Sequence, residues 1–423
     1  MNTLLLMSLV TVLAPEPMNE VLLDPALDGS LVGVMVMDTN GAVLFEQNAD
    51  LRMVPASNQK IFSTLYALEE LGPSYRPQTR IWKLSDGNLY VDAPGDPSLT
   101  YADLLNARGG LNLSENAPRT VFTREAYSVG VPASWENDDL PYSYAPQITA
   151  FSYDKAAFRL SASRERLFPS FLAGRVDFAY EWNPEPPEVN FDPVGRIALV
   201  GGDLGEAPVD FGTFAQPDPS GLAALAVGGP ASAFAPAADP LPEAAPSQTI
   251  VGDPVAELVK ECLEPSDNFI AEHLVLMSAS HSGKLDDNDQ FDAAGAMDEH
   301  LSTQVGLQPG DFRPFDGSGM SRHNLVTPRA VAETLQWASV QPYADLYRDA
   351  LAAPGEGTLR SRLAGVPFEG KTGTLNSTVA LSGYVGEDVI VVFLVNNSVA
   401  SASQVRRVQD EFIRAVYSQI SGN

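Results

Sequence analysis

The stretch Pro55-Ala56-Ser57-Asn58-Gln59-Lys60-Ile61-Phe62-Ser63-Thr64 constrains this chain most. Pro55 stiffens an approach loop, and Ser57 stands where a helix N-cap or first-turn residue would. Ile61, Phe62, Leu65 and Leu68 then recur at helical spacing until Gly72-Pro73 stops the run. A loop therefore feeds a helix here, with Ser57 and Lys60 on one face. A serine near a helix N-terminus with a lysine one turn later is one way to build an activated nucleophile without histidine. Taken alone, the same pair reads as a capping serine beside a solvated lysine. Ser152-Tyr153-Asp154-Lys155 repeats the pattern in a strand-and-loop setting.

The length, 423 residues, allows one large domain or two to three smaller ones. The net charge of −28 argues against a nucleic-acid groove or a polybasic membrane patch. A single cysteine, Cys262, excludes an intrachain disulfide framework and reads as a small buried hydrophobe. The four histidines form no H-x-x-x-H pair, so no zinc or other metal site is expected. The apolar run Leu4 to Leu13 is too short to span a bilayer. It is similar to the core of a secretory signal, though no Lys or Arg precedes it, and residues 1–17 are read as an atypical signal or N-terminal segment. No other window suits a transmembrane helix.

Leu31 to Met37 and Ala42 to Gln47 flank the turn Asp38-Thr39-Asn40-Gly41 and predict a hairpin before the Ser57 helix. From Arg80 to about Phe211 short strands and turns dominate. Gln216 to Gln248, rich in Ala, Pro and Gly and without usable periodicity, reads as a linker. Helices are expected from Asp253, with Val255, Leu258, Val259 and Cys262 on one face, and over Asn268–Ser278 and Pro328–Ser339. The chain ends in a strand pair, Val379–Val385 and Val389–Asn396, then a helix over Ser403–Tyr417.

Two further motifs carry chemistry. In Ser266-Asp267-Asn268 a hydroxyl and a carboxamide two residues apart can hold a proton relay and a substrate amide; either Ser or Asp there could equally cap the next helix. Lys371-Thr372-Gly373-Thr374 enters the terminal strand pair. On an edge strand it lets a peptide backbone lie alongside and offers a cation and hydroxyls to a carboxylate.

Together Ser57, Ser266 and Lys371 give S-x-x-K, S-x-N and K-T-G in the order of penicillin-recognising serine enzymes. The 105 residues from Ser266 to Lys371 suit that group, and the 209 from Ser57 to Ser266 leave room for an inserted domain. That interval resembles the class C low-molecular-mass penicillin-binding proteins, the D-alanyl-D-alanine carboxypeptidase/endopeptidases of the S13 peptidase family. Leu71-Gly72-Pro73-Ser74-Tyr75, Gly95-Asp96-Pro97-Ser98-Leu99, Ala271-Glu272 after the second motif, Asp316-Gly317-Ser318-Gly319-Met320-Ser321-Arg322 and Gly357-Thr358-Leu359 with Arg362 extend the likeness. The insert matches only in patches, and Ala156 stands where the family often has asparagine.

The resemblance implies an α/β (α+β) transpeptidase-like fold. Residues 18–83 and 212–423 would form a split catalytic domain with an antiparallel sheet flanked by helices, and 84–211 a β-rich insert. It implies acyl transfer without a cofactor. Ser57 would attack the D-Ala-D-Ala carbonyl and Lys60, kept neutral by burial and by Lys371, would take its proton. Ser266, backed by Lys371, would pass a proton to the leaving nitrogen. Asn268 would hold the substrate amide, Thr372, Gly373 and Thr374 its carboxylate side, and backbone N–H groups of Ser57 and Thr374 the oxyanion. Asp139, Tyr144, Arg322 and Asn376 would contact the stem-peptide diamino acid; Asp139, in the acidic run Glu136-Asn137-Asp138-Asp139, equally suits a solvated loop. The implied partners are peptidoglycan stem peptides and β-lactams, met in the periplasm or another extracytoplasmic space. A serine β-lactamase shares all three motifs, but the E-x-x-L-N stretch of class A enzymes is absent. An esterase or D-peptidase on the same fold, or a non-catalytic wall-binding module, are the remaining alternatives.

Overall fold

A computed structural model describes residues 15–114, 116–205, 207–237, 241–242, 245–286 and 288–422. The apolar run Leu4 to Leu13 lies outside them. The chain packs as two compact units. Among the described residues, one comprises 15–65, 259–266 and 297–422, and the other comprises 66–258 and 267–296. No helix among the described residues is long and apolar enough to cross a membrane.

The first unit is built on a five-stranded antiparallel sheet. Its strands are β1 (Leu31–Asp38), β2 (Val43–Gln47), β3 (Phe368–Leu375), β4 (Thr378–Val385) and β5 (Val389–Asn396), in the order β3-β4-β5-β1-β2. The expected N-terminal hairpin is β1–β2, and the K-T-G motif occupies the edge strand β3. Three helices matter here: α1 (Gln59–Glu70), α2 (Pro328–Ala338) and α3 (Ala402–Ser421). Strand alternation divides the sheet's faces between them. Val32, Val34 and Val36, with Val391, Phe393 and Val395, form one core with Val405, Val408, Phe412, Ile413 and Val416 of α3. On the opposite face Gly33 leaves room for Pro328 of α2: a Cβ there would lie 2.7 Å from the proline ring. Helices α2 and α3 start where the sequence supplies a cap, whereas the 3₁₀ turn that leads into α1 has no side-chain cap. Thr327 accepts from the Ala330 N–H before Pro328, and Ser401 with Gln404 makes a reciprocal capping box for α3. A short helix, Pro15–Val21, buries Met18 in the same core.

The second unit holds another five-stranded sheet, formed by Ala233–Pro236, Thr120–Glu125, Leu89–Ala93, Gln78–Lys83 and Ser247–Val251 in that order, and two three-stranded sheets. Two departures from the sequence reading stand out here. The stretch read as a linker contains a helix, Pro219–Gly228, whose Leu222, Ala223, Ala224, Ala226 and Val227 are all buried. A helix apolar all round has no amphipathic period to detect. A second unexpected helix, Tyr101–Gly110, starts at Thr100, which forms a capping box with Asp103; the two helices share a core with Leu89, Val91 and Val121. In the Gly95-Asp96-Pro97 segment, Asp96 accepts from the Ser98 N–H and hydroxyl, and burial raises its pKa to about 6.

The loop leading to Ser57 is tied to the sheet by a side chain at the end of β5. Asn396, nearly buried, accepts from the Val54 N–H at 2.8 Å and donates to the Val54 carbonyl at 3.1 Å. Truncation in Asn396→Ala removes both partners at once. Each orphaned buried group costs about 1–3 kcal/mol, so the urea-unfolding midpoint should fall clearly. An unchanged midpoint would show that water replaces Asn396 at no cost.

Candidate active site

Ser57 lies in a 3₁₀ turn, Ala56–Asn58, that runs directly into α1. The helical spacing read from the sequence is real: Ile61, Phe62, Leu65 and Leu68 are buried. Lys60 is fully buried, and its Nζ lies 3.0 Å from Ser57 Oγ and 2.6 Å from the carbonyl oxygen of Ser318, to both of which it donates. The Ser318 carbonyl is held by a turn closed around Asp316. One Asp316 oxygen accepts from the Gly319 N–H and from Asn324 Nδ2, the other from the Ser321 N–H. Gly319 has φ +85°, and a Cβ there would lie 2.0 Å from the Ala56 carbonyl, so only glycine lets this turn press against the serine loop.

β3 supplies the opposite wall. Asn58 Nδ2 donates to the Lys371 carbonyl at 3.0 Å, and Asn58 Oδ1 accepts from the Ser382 hydroxyl on β4. A Cβ on Gly373 would lie 3.0 Å from both the Pro55 carbonyl and the Ser57 nitrogen. Glycine thus sets how closely the edge strand approaches the serine. Lys371 is fully buried, and burial first, then the Lys60 charge, holds its pKa well below the usual lysine range. Its Nζ donates to the Thr372 carbonyl. Cys262 is fully buried, as its sequence context suggested.

Ser57 and Ser266 line one cavity of about 970 Å³ with Thr372, Gly373 and Thr374. Ser266 is in the left-handed region, φ +70°, a strained geometry for a side chain other than glycine. Asp267, rather than Ser266, caps the following helix (Asn268–His281), accepting from the Ile270 N–H, and also pairs with Lys155 at 2.9 Å. So the second S-x-x-K supplies its lysine to that cap, while its Ser152 donates to the Thr149 carbonyl.

Of the residues expected at a diamino-acid subsite, the structure forms two pairs, one in each unit. In the second unit the Tyr144 hydroxyl donates to Asp139 at 2.8 Å, and Asn268 Nδ2 donates to the Tyr144 carbonyl at 2.8 Å. In the first unit Arg322 donates to the Asn376 carbonyl at 3.0 Å. The sequence reading missed Asn58, Ser318, Ser382 and Asn396, whose polar side chains or carbonyls act only through tertiary contacts. It also missed Arg406, which donates to Thr374 Oγ1 at 2.8 Å. Its recurrence with Ser403, Asp410 and Arg414 on one face of α3 was the available signal. Among the described residues no cluster of three or more His, Cys, Asp or Glu is arranged to hold a metal.

The family model for the D-Ala-D-Ala carboxypeptidase 3 (S13) family matches residues 15–169 and 244–416. The chain belongs to that family. The residues between the two matched spans, 170–243, include the buried apolar helix that sequence periodicity did not reveal. A D-alanyl-D-alanine carboxypeptidase of Actinomadura sp. (strain R39) is 28% identical over 93% of this chain and 82% of its own length. Penicillin-binding protein 4 of Haemophilus influenzae has a similar crystal structure, with TM-score 0.77 and 21% identity over 95% of this chain and 99% of that one. It is also described in complex with a β-lactam. A predatory endopeptidase of Bdellovibrio bacteriovorus shares the fold more distantly, with TM-score 0.53 and 16% identity over 93% of both chains.

In this S13 chain the buried amine of Lys371 has a stability signature. Its folded pKa lies below the ordinary value of 10.5, so between the two values the folded chain binds fewer protons than the unfolded one. Stability from this group therefore rises with pH across that interval. Lys371→Met should remove the slope and raise the melting temperature at pH 7 by about 2–4 °C, while β-lactam acylation slows by about 100-fold or more. Melting curves from pH 6 to 10 check this; a lower melting temperature with the slope intact contradicts it.

Proposed function

We propose that this protein is a serine-type D-Ala-D-Ala peptidase, a carboxypeptidase with endopeptidase capacity, acting on peptidoglycan stem peptides through an acyl-serine intermediate and trapped by penicillins. One observation carries the reading: Ser57 Oγ lies 3.0 Å from the amine of a wholly buried lysine, beside a second buried lysine on the edge strand. Family membership and the names of the relatives support it.

In this reading Lys60, which donates to Ser57 Oγ as an ammonium, keeps one N–H on the Ser318 carbonyl when neutral and turns its lone pair to the Ser57 hydroxyl. The serine hydroxyl gives its proton to that lone pair as Oγ attacks the carbonyl carbon. Backbone N–H groups of Ser57 and Thr374 receive the oxyanion, worth about 3 kcal/mol per donor. Ser266, with Lys371 behind it, passes the proton to the departing D-alanine nitrogen. Thr372 and Thr374 hold the carboxylate and Asn268 the substrate amide. Water then attacks the ester, releasing the shortened peptide and restoring the Ser57 hydroxyl. Asp139 with Tyr144, and Arg322 with Asn376, would take the charged end of the stem-peptide diamino acid. The chemistry belongs outside the cytoplasm, where peptidoglycan is; the Leu4 to Leu13 run supports an exported chain.

The test is an intact mass after incubation with a penicillin, beside release of D-alanine from an acyl-D-Ala-D-Ala peptide. A lasting adduct of one penicillin mass and D-alanine release, both lost in Ser57→Ala, are expected. Fast penicillin turnover without an adduct would favour a β-lactamase. A folded protein that does neither would favour a non-catalytic wall-binding module.

A further inference from the structure

Ser266 follows a short segment that a separate turn holds in place. That 3₁₀ turn, Gly357–Leu359, belongs to the same unit as Ser57, Glu264 and Ser266. Gly357 and Thr358 line the Ser57 cavity together with Pro265 and Ser266. Gly357 has φ +41°, and a Cβ there would lie 2.3 Å from the Glu264 carbonyl oxygen. The next residue, Thr358, donates its N–H to that same carbonyl at 3.2 Å. Pro265 and Ser266 follow Glu264 directly. The Glu264–Pro265 peptide is planar, and the proline ring fixes its own φ. Between the held carbonyl and the Ser266 Cα, one free torsion remains, ψ of Pro265.

The turn is itself fastened at its far end. Leu359 is fully buried in the core that includes α3. Arg362, three residues on, donates to Asp410 from Nε at 3.0 Å and from Nη2 at 2.7 Å. Its Nη2 also donates to Gln409 Oε1 and to the Arg406 carbonyl, each at 3.3 Å. Burying Leu359 does not require a left-handed glycine pressed on a neighbouring carbonyl. That contact, with the Thr358 N–H, sets where the Glu264 carbonyl can lie.

We propose that this turn is a bracket that positions Ser266 for protonation of the leaving nitrogen, with Gly357 and Thr358 setting the Glu264 carbonyl and Arg362 setting the turn. This rests on the reading of Ser57 as nucleophile and Ser266 as relay, and adds to it residues that act through Ser266. The step served is cleavage of the C–N bond. The bond's electron pair stays on nitrogen, which takes the Ser266 hydroxyl proton. The ammonium that Lys60 became on taking the Ser57 proton restores that hydroxyl. An amide nitrogen needs this proton to depart, whereas a thioester departs as a thiolate without it.

The experiment compares kcat/KM for an acyl-D-Ala-D-Ala peptide and for a thioester with the same acyl group. It uses wild type, Gly357→Ala, Arg362→Lys and Ser266→Ala, each checked for folding by circular dichroism. Gly357→Ala displaces the Glu264 carbonyl, so the amide should fall about 10–100-fold and the thioester less than about 3-fold. Arg362→Lys keeps the charge but loses the fork, and should show the same bias at about 3–10-fold. A turn with only a structural role would lower both substrates alike, which overturns the bracket. Adding Gly357→Ala to Ser266→Ala should cost the amide little more, because nothing is left to position; a full further loss overturns the proposal. Equal losses for both substrates in Ser266→Ala overturn the relay and the bracket's role with it. Hydrogen exchange of the Thr358 amide reads the bracket without turnover. It should quicken about 10-fold in Arg362→Lys, and an unchanged rate overturns the fastening. A wild type that shows this exchange pattern yet cleaves neither substrate counts against the proposed activity and not against the bracket.

Discussion

Two lysine amines enclosed beside one serine are the constraint on which the first unit depends. Water would hold both as cations; the site holds them where neither can be fully hydrated and each opposes the other's charge. Such an arrangement persists only if the surroundings leave it no easy escape. The surroundings here are rigid in a specific way. Lys60 is fixed by a carbonyl from a turn that is itself closed on a buried carboxylate, and Lys371 lies in a strand paired along its whole length with β4. The glycines at 319 and 373 bring these two walls against the serine loop without a side chain between them. Stability is given up locally and recovered in the sheet core around Phe393 and Phe412.

The division of labour along the Ser266-Asp267-Asn268 motif follows the same economy of space. The residue in the middle caps a helix and binds Lys155, so the positions on either side are held by a backbone that is already satisfied. Of the residues that could cap the next helix, Asp267 does so, which leaves the Ser266 hydroxyl outside the cap.

How much of this was legible in the sequence depends on the range of the interaction that fixes each part. α1, the β1–β2 hairpin, α2, α3 and the terminal strand pair follow local periodicity and capping residues, and they fall where the sequence places them. The five core motif positions were legible because three short patterns occur in a fixed order. Pro219–Gly228 was not, since alanines buried on every side leave no polar stripe. Tyr101–Gly110 carries a local signal in the Thr100–Asp103 capping box, but it stands among short strands and turns whose pattern is the stronger one. Asn396, Ser318 and Arg406 contribute through partners 342, 258 and 32 residues away, and no window of sequence contains both halves of such a contact.

The strand order has a consequence in time. β1 pairs on one side with β2, twelve residues on, but on the other with β5, from Leu31 against Asn396 to Asp38 against Val389. Made from its N-terminus, the chain carries Ser57 and Lys60 for more than three hundred residues of synthesis before the strand that bears Lys371, and the one that completes the sheet, exist. Contacts of such sequence separation form late. An unfinished chain therefore carries the serine and one lysine of the proposed site without the wall that faces them, and the two-lysine enclosure exists only once β3 has been made and paired.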